Sequence, residues 1–309
     1  MTEKYEVVVV GGGAAGLSAA LVLGRSRRRT LVVDAGEPRN APSAHMQGYL
    51  SRDGMSPAEF LAAGRAEIAR YGVELVQDRV VDAVKEADFT VALAGNRTVR
   101  ARQLVIATGL TDELPPVPGL AERFGRDVLH CPYCHGWEVR DLPTGVLATS
   151  PLSVHQALMV TQWSKDVRLF LHRVDEADLT DQDLRRLAAA GVTVVPGEVA
   201  RLVVTGDRLT GVRLSDGSVH DRAVLYAAPR AVPNNGLLVK LGAELRETPF
   251  GSYPVTDERG LTSVPGLWAA GNASGYAEQV VNAVSRGYRA GAAINAELLM
   301  ADLDAAVGV

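Results

Sequence analysis

The chain has 309 residues, 47% of them hydrophobic and 22% charged, with a formal net charge of −4 and two cysteines. That length fits about two domains with ample material for a core. The acidic balance and the absence of a basic stripe exclude a nucleic-acid binder, no apolar run is long enough to span a bilayer, and the N-terminus shows no signal-peptide pattern. The expected location is therefore the cytoplasm, where a disulfide is more often catalytic than structural.

Glu6-Val7-Val8-Val9-Val10 is a β-branched run of the kind that forms a buried parallel strand. It leads into Gly11-Gly12-Gly13-Ala14-Ala15-Gly16 and then an Ala- and Leu-rich helix through about Leu23. In a GxGxxG turn, the first glycine (Gly11) allows the tight bend and the second (Gly13) lets the backbone approach a pyrophosphate. The third (Gly16) lets the helix pack closely on the strand. A second strand, Thr30–Val33, ends at Asp34, about 20 residues past the first glycine, where a carboxylate would accept from a ribose hydroxyl. Strand, glycines, helix, strand and acid together predict a dinucleotide site; alone they do not separate FAD from NAD.

A polar, Gly-containing stretch follows from Ala41 to Asp53 and includes His45 and Gln47. A helix near Pro57–Tyr71 and short alternating strands around 73–84 and 89–94 come next. Leu104-Val105-Ile106-Ala107-Thr108-Gly109 reads as a buried strand ending in Ala-Thr-Gly. Beyond a proline-rich break at Pro115–Gly119 lies His130-Cys131-Pro132-Tyr133-Cys134-His135, which contains both cysteines. Two thiols two residues apart can close a small disulfide ring, and flanking imidazoles can move protons or stabilise a thiolate. Half of a zinc site and an ordinary pair of core cysteines compete with that reading. Zinc lacks a second ligand cluster, so the expected metal complement is none. Near the C-terminus, Pro265–Ala273 contains Gly271-Asn272 and precedes a helix from about Glu278 to Leu299.

Taken in order, the glycine turn, Ala107-Thr108-Gly109, the CxxC and the Gly271-Asn272 segment resemble the thioredoxin reductase-like flavoproteins over almost the whole chain. The resemblance implies an α/β fold of two Rossmann-like dinucleotide-binding domains, the second inserted in the first. The boundaries are expected at 1–114 plus 246–309 for an FAD domain and 115–245 for the CxxC-bearing domain. It also implies a homodimer, and FAD held by Gly11, Gly13, Ala14, Ala15, Gly16, Asp34, Ala107, Thr108, Gly109, Gly271 and Asn272. Asn272 stands where the family carries Asp. By the same resemblance Cys134 faces the flavin, Cys131 exchanges with the substrate, and His135, in place of the family's Asp, is the general acid/base. An imidazole with an ordinary pKa of roughly 6.5 suits that role. Glu138 would either orient His135 or be a solvated carboxylate. His130 and His45 are each either structural flanks or site residues.

The second domain departs from the family where NADPH would bind. Its three fingerprint positions read Ala148, Ser150 and Ser153, and Pro151 has no N–H to offer an anion. Ser150-Pro151 reads as N-cap and first helical residue. The His172-Arg173-Val174 sequence retains only part of the basic set that would hold a 2′-phosphate, and Pro229 replaces a customary Gly. These departures predict a degenerate nicotinamide site. They favour the dithiol oxidase branch, the holomycin- and gliotoxin-type enzymes of antibiotic biosynthesis, which form a disulfide in a small-molecule dithiol with O2 as acceptor. Two alternatives remain: a thioredoxin reductase drawing on NADPH or another donor such as ferredoxin, and a flavin-binding regulatory protein without turnover.

Overall fold

The computed structural model describes residues 2–308. It opens with β1 (Glu3–Val10), α1 (Ala14–Arg25), β2 (Thr30–Asp34), α2 (Pro57–Ala69), β3 (Glu74–Gln77), β4 (Val80–Lys85), β5 (Phe89–Leu93) and β6 (Thr98–Ile106). Then come β7 (Leu110–Glu113), α3 (Leu120–Arg123), β8 (Val128–Leu129), α4 (Pro132–His135), β9 (Thr144–Leu147), α5 (Ser153–Val160), β10 (Val167–Phe170), α6 (Asp181–Ala189) and β11 (Thr193–Val195). The remainder is β12 (Val199–Thr205), β13 (Arg208–Leu214), β14 (Val219–Asp221), β15 (Val224–Ala227), β16 (Arg230–Pro233), α7 (Gly236–Lys240), β17 (Leu245–Thr248), β18 (Gly251–Pro254), β19 (Leu267–Ala269) and α8 (Val280–Val307).

These elements form two compact units. One takes in the chain up to Ala41, Pro57–Thr111 and Ala231 onward; the other is Pro42–Ser56 with Asp112–Arg230. The return to the first unit thus falls at Ala231, earlier than the sequence suggests, because α7 and Ala243 pack into the core of the first sheet. Pro42–Ser56 belongs with the second unit although it lies between two segments of the first.

In the first unit the sheet order is β3-β2-β1-β6-β5-β4, with β19 also on β6. β1, β2, β3, β6 and β19 run parallel, while β4 and β5 are antiparallel additions. Val8 and Val10 face one core and Val7 and Val9 the other, so β1 is buried on both sides and reads as a continuous apolar run. α8 is longer than the sequence suggests and crosses α1 at close range. Gly287 and Gly291 lie directly on the backbone of Ala15 and Ala19, where any Cβ would collide.

The second unit holds a five-stranded parallel sheet, β11-β10-β9-β15-β8, and a three-stranded antiparallel sheet, β12-β13-β14. Its two cores meet opposite faces of β9, with Val146 on one side and Leu147 on the other. Among the described residues no helix is long and apolar enough to cross a membrane.

Candidate active site

In the first unit the β1–α1 turn is shaped by contacts that exclude side chains. Gly11 has φ +106°, and a Cβ there would stand 2.4 Å from the carbonyl oxygen of Ala107. A Cβ on Gly16 would stand 1.9 Å from the Gly11 carbonyl oxygen, so α1 can start this close to β1 only with glycine. Gly13 differs: it is the N-cap of α1, supplies no side-chain cap, and nothing lies within 4 Å of where its Cβ would point. The helix end therefore opens onto free space, with the positive end of its dipole and its first amides directed there. Ala14 and Ala15 continue the turn, and Gly271 (φ +66°) lies against the Ala15 methyl.

Asp34 ends β2 beside this cradle. Its Oδ1 accepts from the N–H groups of Gly12 (3.2 Å) and Gly36 (3.3 Å), and its Oδ2 accepts from Arg65 Nη2 at 2.9 Å. A carboxylate has about four lone-pair sites, so Oδ2 keeps capacity for one more donor such as a ribose hydroxyl. Arg65, on α2, is a member of the site that sequence reasoning missed; no spacing rule connects it to Asp34.

Ala107-Thr108-Gly109 follows β6, anchored by Ala107 N–H donating to the Val10 carbonyl at 2.8 Å. Asn234 locks it from the far end of the chain. Thr108 Oγ1 donates to the Asn234 carbonyl (2.8 Å), Asn234 Nδ2 donates to the Thr108 carbonyl (3.0 Å), and Asn234 N–H donates to Gly109 (3.1 Å). Asn272 uses both amide hydrogens on its own turn, donating to the carbonyls of Gly275 (3.1 Å) and Tyr276 (3.0 Å), which leaves Oδ1 as an acceptor. An aspartate could not make those two bonds, which gives the substitution a local physical reason.

In the second unit Cys131 and Cys134 are joined as a disulfide with Cα atoms 5.2 Å apart. α4 is the single turn that brings them together. Cys131 is its N-cap, Pro132 starts it, and Cys131 Sγ accepts from the Cys134 N–H at 3.2 Å. A thiolate forming on Cys131 would meet that donor. Gly136 closes the turn by donating to the Pro132 carbonyl at 2.7 Å, and the Trp163 ring packs where its side chain would be. Tyr133, exposed between the cysteines, meets Trp163 edge to face at 5.9 Å. Gln156 on α5 holds the residue before the pair, donating from Nε2 to the His130 carbonyl at 2.6 Å.

His135 is half-buried. Burial pushes its pKa below the ordinary 6.5, and the nearby Glu138 carboxylate opposes the shift without cancelling it. The imidazole is thus neutral at physiological pH, free to accept a proton. His135, Glu138 and Val139 line a cavity of about 270 Å³ whose other wall is Ser43, Ala44, His45 and Gln47. His45, ambiguous from sequence, is thereby brought to the same cavity as His135.

The second βα turn is closed. Ser153 is buried and its Oγ accepts from the Thr149 N–H at 3.1 Å. The amides of Ser153, Val154 and His155 donate to the carbonyls of Ser150, Pro151 and Leu152 at 3.0, 3.2 and 3.1 Å. α5 therefore begins at Ser153 with Leu152 as N-cap, and not at the expected Ser150-Pro151, because the buried hydroxyl of Ser153 draws that loop into tight turns. Of the basic pair beyond β10, His172 Nδ1 accepts from the Val199 N–H (3.1 Å) and Arg173 pairs with Glu198 (3.0 Å).

Parallel α/β units with a glycine-lined cradle in one and a disulfide at the head of a short helix in the other define a disulfide oxidoreductase of the two-Rossmann-fold class. The chain belongs to the pyridine nucleotide-disulphide oxidoreductase family, whose model matches residues 5–287. It is 33% identical to "Thioredoxin reductase sirT" of Leptosphaeria maculans over 97% of this chain and 96% of that protein. With "Thioredoxin reductase tcpT" of Claviceps purpurea it shares 34% identity over 97% and 95%. The solved structure of HlmI superposes with a TM-score of 0.94 at 50% identity, covering 99% of this chain and 97% of that one.

Proposed function

We propose that the protein is an FAD-dependent dithiol oxidase that closes an intramolecular disulfide in a small-molecule dithiol, with O2 as electron acceptor. The observation that carries this reading is the difference between its two βα turns. The first keeps an open, uncapped helix end with a carboxylate beside it, which fits the pyrophosphate and ribose of FAD. The second has the amides of Thr149, Ser153, Val154 and His155 bonded within the chain and Pro151, without an N–H, among them, which makes it a poor cradle for a nicotinamide nucleotide.

In the proposed cycle a substrate thiolate attacks Cys131 Sγ, the S–S bond breaks, and Cys134 leaves as a thiolate. The second substrate thiolate attacks the substrate sulfur of the mixed disulfide, releasing a cyclic disulfide and Cys131. Two thiols are oxidised and the cysteine pair is reduced, with His135 accepting a proton. Bound FAD would supply the route by which the electron pair passes on to O2, giving hydrogen peroxide. Gly11, Gly13, Ala14, Ala15, Gly16, Asp34, Ala107, Thr108, Gly109, Gly271 and Asn272 would hold it.

The names of the sirT and tcpT relatives favour a second reading, reduction of a thioredoxin-like protein disulfide by NADPH or another donor. Oxygen uptake separates the two. Under air, the flavin-loaded enzyme should oxidise dithiothreitol with stoichiometric peroxide, and Cys131→Ser or Cys134→Ser should abolish the uptake. A wild-type enzyme that consumes no oxygen with any dithiol would overturn the oxidase reading.

A further inference from the structure

The cavity beside His135 joins two stretches far apart in sequence. One wall is the face of the redox turn and the residues after it, His135, Glu138 and Val139; the other is Ser43–Gln47. The second wall is built to stay in place. Met46 is buried, its N–H donates to the Met55 carbonyl (2.9 Å) and its carbonyl accepts from Gly54 (2.9 Å). The Gly48 N–H donates to Asp53 Oδ1 (2.7 Å), and Ser43 Oγ donates to the carbonyl of His45 itself (2.7 Å). At the base, the Pro42 carbonyl presses on Gly125, which has φ +82° and whose Cβ would stand 2.6 Å from that oxygen. The backbone around an exposed histidine is thus tethered, and His45 lines the same cavity as the half-buried His135.

The imidazoles differ in surroundings. His135 is desolvated, so a proton it takes up is held at a cost and must be passed on. His45 is exposed and in contact with bulk solvent. The 270 Å³ space is lined by hydroxyl, amide, carboxylate and imidazole groups together with the apolar Pro42, Ala44, Leu129 and Val139, and it has room and polar partners for several ordered waters. The charged groups facing it are Glu138 on one wall and Arg126 at the base. Arg126 is paired with Asp207, which also takes Arg123 at 2.7 Å, so Glu138 dominates and favours a cation in transit. The buried Tyr226 behind Glu138 is neutral, since burial drives its pKa up.

We propose that His45 is the outer member of a proton relay from His135, through water admitted to this cavity, to solvent. His45 touches neither sulfur; it acts through His135. The inference deepens the proposed dithiol chemistry, in which a proton leaves the thiols at each exchange, but the relay itself depends only on thiol–disulfide exchange at Cys131–Cys134.

The test is the anaerobic rate at which excess dithiothreitol bleaches the flavin of the holoenzyme, followed from pH 5.5 to 8.5. His45→Ala should slow bleaching roughly tenfold, below the hundredfold or more of a direct proton-transfer residue. The half-saturating dithiol concentration should stay the same, the D2O effect should increase, and added imidazole should restore the rate. His155→Gln, an exposed imidazole on α5 outside the cavity, should change none of these. Unchanged rate, pH profile and D2O effect in His45→Ala would overturn the relay, as would a loss that imidazole does not restore. Bleaching by NADPH would overturn the oxidase reading while leaving the relay standing.

Discussion

Ser153 places its hydroxyl 3.1 Å from the backbone N–H of Thr149, closing the turn between β9 and α5 from the inside. In a nucleotide-binding βα unit that amide and its neighbours point at a phosphate. Here a side chain of the protein satisfies it permanently. Ser153→Ala would leave the N–H of the exposed Thr149 to water and cost about 0.5–1.5 kcal/mol. Thermal denaturation should show Tm lower by a few degrees. Titration with NADPH should still show no binding, because the amides of Ser153–His155 remain bonded.

Asn272→Asp, which restores the residue usual in the family, should weaken flavin retention. The carboxylate loses two amide donors and faces the carbonyls of Gly275 and Tyr276. Removing two such bonds beside the cradle should cost about 1–3 kcal/mol and, where that cost falls on the bound state, loosen flavin by about 5- to 150-fold. The ratio of protein to flavin absorbance after dialysis checks it; equal or better retention would contradict the assignment of Asn272.

Gly136→Ala should disable the redox turn. An added methyl would stand 2.6 Å from both the Pro132 carbonyl and the Trp163 ring, so the turn or the indole must move. Overpacking of this kind costs about 1–3 kcal/mol. Dithiol oxidation should fall by more than the loss in folded protein measured by circular dichroism.

Stability should fall as pH drops below about 6.5. Burial is the largest cause of the lowered pKa of His135, His172 and His220. The unfolded chain then binds protons at a higher pH than the folded one, so the unfolding free energy falls as pH falls through the ordinary value of 6.5 toward the lower folded values. His135→Gln should remove one share of the slope. Tm measured from pH 5 to 8 checks this, and a slope unchanged by the substitution would show that His135 titrates normally.

Local signals carried much of this site. The Val-rich strand, the glycines and the helix after them all lie within one turn of chain, and so do the cysteines with Pro132 and His135. Physical contact across long separations was not legible. Nothing local ties Asn234 to Thr108, Arg65 to Asp34, or Pro42–Ser56 to the second unit, and each depends on packing that only the folded chain creates. The expected helix start at Ser150-Pro151 failed for a related reason. It weighed capping propensity alone, whereas burial of Ser153 forced its hydroxyl to find a donor, and Thr149 was the one in reach.

In the proposed cycle electrons enter this protein from thiols and not from a nicotinamide. Anaerobic mixing of the flavin-loaded enzyme with NADPH, set beside mixing with a dithiol, tests it most directly. The dithiol should bleach the flavin absorbance completely and NADPH not at all over the same period. Rapid bleaching by NADPH would contradict the cycle.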